Sequence, residues 1–270
     1  MYLEKLKEAQ KKNNSWVCIG LDPQPDKLPI QATHQWDEPV LPFNKAIIDA
    51  TADIACAFKP NLGFYLQWGA AGIIALERTV QYIPKHIPII IDCKAGDIGH
   101  TQMAWAKGLF DQWGADAFVI NPYVGRDAIE PIIKQWPDKG GYVLGRTSNP
   151  SAPDFQGDMD NPDDLSRKVI TKVNDLRQPD HGAVGLVIGA TWPEEMQMAR
   201  EEAPHAPFLI PGIGAQGGSL ETSVQYGADS VAGPLISSSR GIIYAGNGYD
   251  FADKARAAAI ELRDKINALR

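Results

Sequence analysis

The chain has 270 residues, 44% of them hydrophobic, which is enough apolar material for the buried core of one domain. Its 26 basic and 33 acidic residues give a formal net charge of −7, and an acidic chain repels the phosphate backbone of nucleic acid. The N-terminal stretch lacks the apolar core of a signal peptide, and no apolar run approaches the roughly 20 residues that a membrane span needs. We therefore expect a single cytoplasmic domain over residues 1–270, without a nucleic-acid or membrane partner.

The cysteines and histidines give little support to a zinc site. Cys18, Cys56 and Cys93 lie in apolar, strand-like runs without metal-ligand spacing, which predicts buried thiols in a reducing compartment. The histidines form no i, i+4 pair and have no neighbouring cysteine, so we expect most of them on the surface. They are His34, His86, His100, His181 and His205.

Short β-branched or apolar runs recur along the chain with helix-like segments between them. The eight runs begin at residues 16, 55, 88, 116, 141, 183, 206 and 228, about 30 residues apart on average, the length of a strand with its crossover helix and loops. This alternation indicates a parallel sheet. An open doubly wound sheet is the alternative, but no G-x-G-x-x-G follows the first run and the glycine-rich segments come late. We therefore predict an α/β fold, a single (β/α)₈ TIM barrel with its active site at the C-terminal ends of the strands.

Two further segments fit a barrel. Apolar residues recur at steps of three and four near the C-terminus, which predicts a last helix in the outer ring. They are Phe251, Ala255, Ala259, Leu262, Ile266 and Leu269. The segment from Thr147 to Leu165 is rich in Pro, Asp, Ser and Gly and is too long for a plain connector. We interpret it as an active-site lid or binding loop, with a merely mobile insertion as the alternative.

Ionisable residues end several of the predicted strands. Asp22 ends the first strand, Lys59 the second, and Asp92 and Lys94 the third, where barrel enzymes assemble their active sites. Residues at i and i+2 of a strand share a face, so Asp92 and Lys94 should point together into the barrel mouth. Asp97 follows in the turn before the next helix. A structural ion-pair cluster is the alternative for Asp-x-Lys alone, but so many converging charges cost desolvation energy without a structural need.

The segment IDCKAGDIGHT resembles the Asp-x-Lys-x-x-Asp motif of orotidine 5′-phosphate decarboxylases, in the form found in the longer bacterial branch of that family. Further segments between about residues 16 and 246 are similar to that branch in the same order: GLDPQPDKLP, PFNKAIIDAT, AFKPNLGFY, VLGRTSNPSA, PGIGAQGG and SSSRGIIYA. The resemblance implies a homodimeric TIM barrel that converts orotidine 5′-monophosphate (OMP) to UMP by removing the C6 carboxylate, without a cofactor or a metal.

The resemblance also implies roles for the charged residues. Asp22 and Lys59 would bind the ribose hydroxyls, with Asn44 helping at the edge of the site. Asp92 would lie against the substrate carboxylate. Lys94 would be the proton donor, because an ammonium ion can stabilise the developing carbanion and then protonate it.

Other contacts implied by the resemblance lie on loops. Asp97 and Ile98 would enter the site of the partner subunit, which makes the dimer interface part of the active site. Ser148 or Thr147, in the lid, would contact the amide edge of the pyrimidine.

Two late segments are expected to bind the substrate phosphate. The glycines of PGIGAQGG let backbone N–H groups approach an anion, and Arg240 supplies a charged fork. Such glycines also make ordinary tight turns, but a glycine-rich seventh loop followed by Ser-Arg-Gly after the eighth strand is typical of a barrel phosphate site. The resemblance assigns substrate contacts here to Pro211, Gln216, Ser239 and Arg240.

Two other functions fit parts of the pattern. A metal-dependent lyase of the same superfamily, such as a hexulose-phosphate synthase or a ketogulonate-phosphate decarboxylase, needs a carboxylate cage for Mg²⁺, which Lys59 and Lys94 would disfavour. A non-catalytic nucleotide-phosphate sensor would need the phosphate loops but not the charged residues. The complete set of charges favours the decarboxylase.

Overall fold

The computed structural model describes residues 1–29, 39–214, 217–229 and 232–270. In these ranges eight parallel strands form one sheet in the order β2-β1-β8-β7-β6-β5-β4-β3, and bridges between Phe58 and Ile89 and between Asn61 and Asp92 connect its two edges. The sheet is therefore a nearly closed barrel, which confirms the predicted TIM barrel and excludes the open doubly wound sheet. The strands are β1 (Val17–Leu21), β2 (Ala57–Pro60), β3 (Ile90–Ala95), β4 (Ala117–Ile120), β5 (Gly140–Arg146), β6 (Ala183–Ile188), β7 (Phe208–Ile210) and β8 (Leu235–Ser238).

Helices alternate with the strands and cover the outside of the barrel. Among the described residues, no helix combines the length and the apolar composition that crossing a bilayer requires. The α-helices are Tyr2–Lys12, Val40–Thr51, Leu62–Leu66, Gly69–Tyr82, Gly99–Ala106, Glu130–Gln135, Pro153–Gln156, Leu165–Asp175, Pro193–Glu202, Leu220–Gly227, Arg240–Ile243 and Phe251–Leu269.

Side chains alternate between the two faces of each strand, and both faces are buried, one in the barrel interior and the other under the outer helices. One apolar cluster takes side chains from every described strand, from Cys18 of β1 to Leu235 of β8, and fills the barrel interior. The N-terminal helix closes the bottom of this cluster, where the hydroxyls of Tyr2 and Tyr142 are 2.8 Å apart. A larger cluster lies between the strands and the outer helices. The open carboxyl ends of the strands are thus left for a site.

The eighth strand begins later than predicted. Ala228 directly follows the helix Leu220–Gly227, and β8 starts only at Leu235. Pro234 has no N–H to donate to a strand ladder. The predicted start is therefore wrong, although the number and direction of the strands are correct.

The last helix extends over Phe251–Leu269, as predicted. Ala255, Ala259 and Ile266 are buried against the barrel, while Leu269 is 44% exposed. The apolar face therefore ends before Leu269, because the final turn extends past the residues that it could pack against.

The thiols and imidazoles lie largely where their sequence context suggests. Cys18 and Cys56 are buried, whereas Cys93 is half-buried, with its Sγ 3.7 Å from the carbonyl oxygen of Val119. Among the histidines within the described ranges, His86, His100 and His205 are exposed and His181 is half-buried. His34 lies outside the described residues.

Candidate active site

A cavity of about 300 Å³ opens at the carboxyl ends of β1, β2, β3, β7 and β8. Six residues predicted for the site contribute to its lining, which is the position expected for a barrel active site. They are Asp22, Lys59, Asp92, Pro211, Ser239 and Arg240.

Asp92 is held between two ammonium groups. Its Oδ2 accepts a hydrogen bond from Lys59 Nζ at 2.9 Å, and its Oδ1 accepts one from Lys94 Nζ at 2.5 Å. Burial disfavours the Asp92 carboxylate, but the charges of Lys59 and Lys94 outweigh this and lower its pKa to about 2. Burial likewise disfavours the Lys59 ammonium, yet Asp92 and Asp22 more than compensate and raise its pKa. The site therefore holds an anion next to a buried cation at neutral pH.

Asp92 and Lys94 meet because β3 is irregular. The pairing of β3 with β4 shifts register between Ile91 and Ala95, and Lys94 has a left-handed backbone with φ 48°. Such a conformation costs a residue other than glycine about 1 kcal/mol or more. Cys93, between the two charged residues, packs towards the outer cluster. The structure thus brings the predicted pair together, but through a bulge and not through simple alternation.

Asp22 follows β1 and is buried at the wall of the cavity. Its Oδ1 accepts from the backbone N–H of Asn61 at 3.2 Å. Burial raises the pKa of Asp22, while Lys59 and a hydrogen bond from Ser239 oppose the increase. Gly20 makes room for this contact, because a Cβ at that position would lie 1.8 Å from Ser239 Oγ.

Asn61 is a site residue that the sequence motifs do not single out. Its Nδ2 donates to Asp92 Oδ2 at 3.2 Å, while its backbone N–H binds Asp22. Its Oδ1 caps the helix Leu62–Leu66 by accepting from the Gly63 N–H at 3.0 Å. The sequence feature that could have identified Asn61 is its position two residues after Lys59, at the junction of a strand and a helix, where asparagine is a favoured N-cap.

The loops after β7 and β8 form a further part of the cavity lining. Pro211 and Gly212 lie in the lining, and Gly212 has φ 103°, a conformation that favours glycine. Ser239 precedes the short helix Arg240–Ile243, and Arg240 is exposed at the rim of the cavity. Gln216, predicted to bind phosphate, lies outside the described residues.

Asn44 does not lie in the lining of the cavity. It is fully buried in the helix layer, where its Nδ2 donates to Tyr65 Oη at 2.9 Å and to Thr79 Oγ1 at 3.0 Å. Tyr65 in turn donates to the carbonyl of Leu21 at 3.0 Å. Through Tyr65, Asn44 therefore supports the end of β1. Its contact with the substrate at the edge of the site stays a prediction.

Thr147 and Ser148 begin the loop after β5 and are also not part of the lining. The Thr147 N–H donates to Gln156 Oε1 at 3.0 Å, and the Thr147 carbonyl accepts from Trp192 Nε1 at 2.8 Å. The loop contains the short helix Pro153–Gln156. Its action as a lid stays a prediction.

Asp97 and Ile98 lie beyond the end of β3, outside the lining of their own cavity. Asp97 is half-buried and its Oδ1 accepts from the Ile98 N–H at 2.8 Å. Ile98 is 56% exposed. Both residues are available to a neighbouring chain.

Comparison with known proteins identifies the family. The sequence model described as orotidine 5′-phosphate decarboxylase / HUMPS family matches residues 15–255. This chain belongs to that family. The orotidine 5′-phosphate decarboxylases of Thermomicrobium roseum and Cellvibrio japonicus are each 44% identical to it, over 100% of this chain and 96% and 99% of theirs.

The fold gives the same result. The solved structure of Leishmania donovani OMP decarboxylase has a TM-score of 0.84 and 35% sequence identity, and the match covers 99% of this chain and 98% of that chain. The resemblance identified from the sequence motifs is confirmed. The relatives favour the decarboxylase over the metal-dependent lyases as the function of this chain.

Proposed function

We propose that this enzyme decarboxylates OMP to UMP and CO₂ without a cofactor, in the cavity around Asp92. The observation that carries the proposal is the Asp92 carboxylate held by Lys59 at 2.9 Å and Lys94 at 2.5 Å. Asp22 and the loop with Arg240 also line this cavity. Alternating charges therefore lie next to a wall suited to a phosphate.

Lys94 is assigned as the proton donor. Breaking the C6–CO₂ bond leaves an electron pair on C6, and without a cofactor to delocalise it an adjacent cation must stabilise it. The Lys94 side chain is 47% exposed, and one of its three N–H groups donates to Asp92, so it can turn others towards a substrate. As CO₂ leaves, one N–H proton passes to C6, and the amine regains a proton from water.

Asp92 acts on the bound substrate through its charge. Its pKa of about 2 keeps it ionised at neutral pH, so protonation does not relieve repulsion between Asp92 and the substrate carboxylate. That repulsion disfavours the bound ground state and disappears when CO₂ departs. Lys59 holds Asp92 in place, because its buried ammonium has Asp92 and Asp22 as counter-charges.

The remaining contacts orient the substrate. Asp22 and Lys59 bind the ribose hydroxyls. The phosphate is held by Arg240, as a charge-assisted fork, together with Gln216 and Ser239. Pro211 is a further substrate contact from the loop after β7. The pyrimidine is contacted by Ser148 or Thr147 when the loop after β5 closes over the cavity, so that binding of the remote phosphate contributes to catalysis.

The active unit is proposed to be a homodimer in which Asp97 and Ile98 reach the cavity of the partner. Ile98 is the N-cap of the helix Gly99–Ala106 and is 56% exposed, and Trp105 of that helix is 38% exposed. Two exposed large apolar side chains on this segment support a protein partner here. The cysteines are free thiols in the structure, in keeping with a reducing, cytoplasmic location.

The same geometry argues against a metal-dependent lyase. Both carboxylate oxygens of Asp92 are already bound by ammonium groups, and a divalent cation in their place would be repelled by Lys59 and Lys94. A non-catalytic phosphate sensor would need the phosphate loops but not the ion-paired Lys59, Asp92 and Lys94.

The substitution Lys94→Ala tests the proposal. We expect kcat to fall by at least about 1,000-fold, because the proton donor and the stabilising charge are lost together, while the protein stays folded and still binds UMP. Lys85→Ala, at an exposed lysine outside the site, is the matched control and should leave kcat unchanged. Retention of a tenth of the wild-type kcat, a change of only about 1.4 kcal/mol, would remove Lys94 from this role.

A further inference from the structure

Arg146, the last residue of β5, is the largest fully buried side chain among the described residues and is 0% exposed. It contributes nothing to the lining of the active-site cavity. A buried guanidinium carries a large desolvation cost, and replacing a buried ion pair by apolar residues of similar volume is often neutral or stabilising. Stability alone is therefore a weak reason for an arginine at this place.

A bulge at Gly145 directs the side chain of Arg146 away from the barrel interior. Leu144 pairs with Val187, but Arg146, two residues further on, pairs with Ile188, only one residue further on. The extra residue puts Arg146 on the same face as Ile188, which packs in the cluster between strands and helices. Arg146 therefore acts from behind the active site.

In this outer layer three neighbours hold the guanidinium of Arg146. Its Nη2 donates to Glu195 Oε1 at 2.9 Å, and its Nε faces the other oxygen of the same carboxylate. Its Nη1 donates to the carbonyl of Gly157 at 2.6 Å. Its Cζ lies 4.4 Å from the centroid of the Trp192 ring. Arg146 thus connects β5, the far part of the following loop and the helix Pro193–Glu202.

The same neighbours hold the first residues of the loop. Trp192 Nε1 donates to the Thr147 carbonyl at 2.8 Å, and Thr191 Oγ1 donates to the Ser148 carbonyl at 3.1 Å. Gln156, next to Gly157, accepts from the Thr147 N–H at 3.0 Å and donates to Thr147 Oγ1 at 2.7 Å. Both parts of the loop therefore converge on Arg146 and Trp192.

We infer that Arg146, with Glu195 and Trp192, is a positioning residue that fixes the backbone from which Ser148 or Thr147 contacts the pyrimidine. The inference rests on the proposed function, because it uses the pyrimidine contact assigned there. Arg146 does not touch the substrate and acts only through the loop. Misplacing a contact by about 1 Å can cost on the order of 100-fold in rate, so loss of this anchor should be measurable in catalysis.

The test is Arg146→Met in the full chain, which keeps much of the volume and removes the charge. We expect kcat/KM for OMP to fall by at least about tenfold and UMP to bind more weakly. Binding of ribose 5-phosphate, which has the sugar and the phosphate but no base, should change by less than about twofold. A purely structural role would either weaken both ligands alike or affect neither.

Double-mutant cycles with Ser148→Ala and with Thr147→Val provide the second readout. If Arg146 acts through the pyrimidine contact, the effects on kcat/KM are non-additive in at least one cycle. Additive effects in both cycles, or equal weakening of UMP and ribose 5-phosphate, would overturn the inference. Failure of the proposed function is distinguishable, because the wild-type protein would then not turn over OMP at all.

Arg200→Met is the matched control. Arg200 lies on the same helix as Glu195, with its guanidinium bound to the carbonyls of Tyr226 and Gly227 at 2.9 and 2.8 Å and 3.7 Å from the Phe208 ring centroid. Its loss should lower stability but change kcat/KM by less than about twofold.

Trp192→Phe keeps the inference testable if Arg146→Met does not fold. This variant keeps an aromatic ring beside the guanidinium and removes only the hydrogen bond from Nε1 to the Thr147 carbonyl. We expect a smaller loss of kcat/KM with the same non-additivity towards Ser148→Ala or Thr147→Val, and full additivity with both would again overturn the inference.

Discussion

Replacing Asp92 by asparagine should destabilise the fold as well as the chemistry. The pKa of Asp92 falls from 3.8 to about 2, and at about 1.4 kcal/mol per tenfold change this corresponds to roughly 2 kcal/mol of folding free energy. Asp92→Asn also leaves the buried Lys59 with only Asp22 as counter-charge. Because removing one partner of a buried pair costs about 3–5 kcal/mol, we expect a loss near 3 kcal/mol at pH 7.

The pH dependence has a definite sign. The folded-state pKa of Asp92 is depressed, so its stabilisation is fully present above about pH 5 and is lost as the pH falls through 3.8 towards 2. The variant has no carboxyl group to titrate at this position. Its deficit relative to wild type should therefore shrink by about 1 kcal/mol between pH 7 and pH 3.

The assay is urea unfolding at several pH values and one fixed protomer concentration, because any association would make stability depend on concentration. Asp127→Asn, at an exposed carboxylate, is the control and should show no deficit. A deficit below about 0.5 kcal/mol at pH 7, or one that stays constant to pH 3, would refute the conclusion that Lys59 and Lys94 hold Asp92 ionised.

Three further outcomes are expected. Arg240→Ala should lower kcat/KM for OMP by a factor that corresponds to a few kcal/mol of lost transition-state stabilisation, and it should reduce the discrimination between OMP and orotidine without phosphate. Equal discrimination in variant and wild type would exclude Arg240 as a phosphate ligand. Mixing inactive Lys94→Ala and Asp97→Ala proteins under subunit exchange should restore roughly a quarter of wild-type activity, and no recovery despite verified exchange would place Asp97 in its own subunit's site. Asn44→Ala should lower the free energy of unfolding by about 1–3 kcal/mol with little change in KM. A large rise in KM without a loss of stability would instead show that Asn44 contacts the substrate.

The barrel and the centre of the site could be predicted because their signals are local. Apolar runs at regular spacing indicate the strands, and Asp22, Lys59 and Asp92 come where those runs end, so parallel strands bring them to one mouth. The start of β8 was mispredicted because its apolar run continues back through Pro234, which cannot join a ladder.

The directions of several side chains could not be predicted from the alternation of residues along a strand or helix. The direction of Lys94 depends on the bulge in β3, and the direction of Arg146 depends on the bulge in β5. Asn44 faces Tyr65 and Thr79 because of how the helices pack. A sequence pattern gives the spacing of these residues but not which of their possible neighbours they contact.

Turnover of OMP by the purified protein tests the central claim most directly. After treatment with a chelator, the protein is incubated with OMP in the continued presence of EDTA, while the loss of orotate absorbance and the formation of UMP are followed. We expect UMP and CO₂ in equal amounts at the full rate, because the charges of Lys59, Asp92 and Lys94 provide the catalysis. No formation of UMP, or formation only after Mg²⁺ is restored, would contradict a cofactor-free decarboxylase.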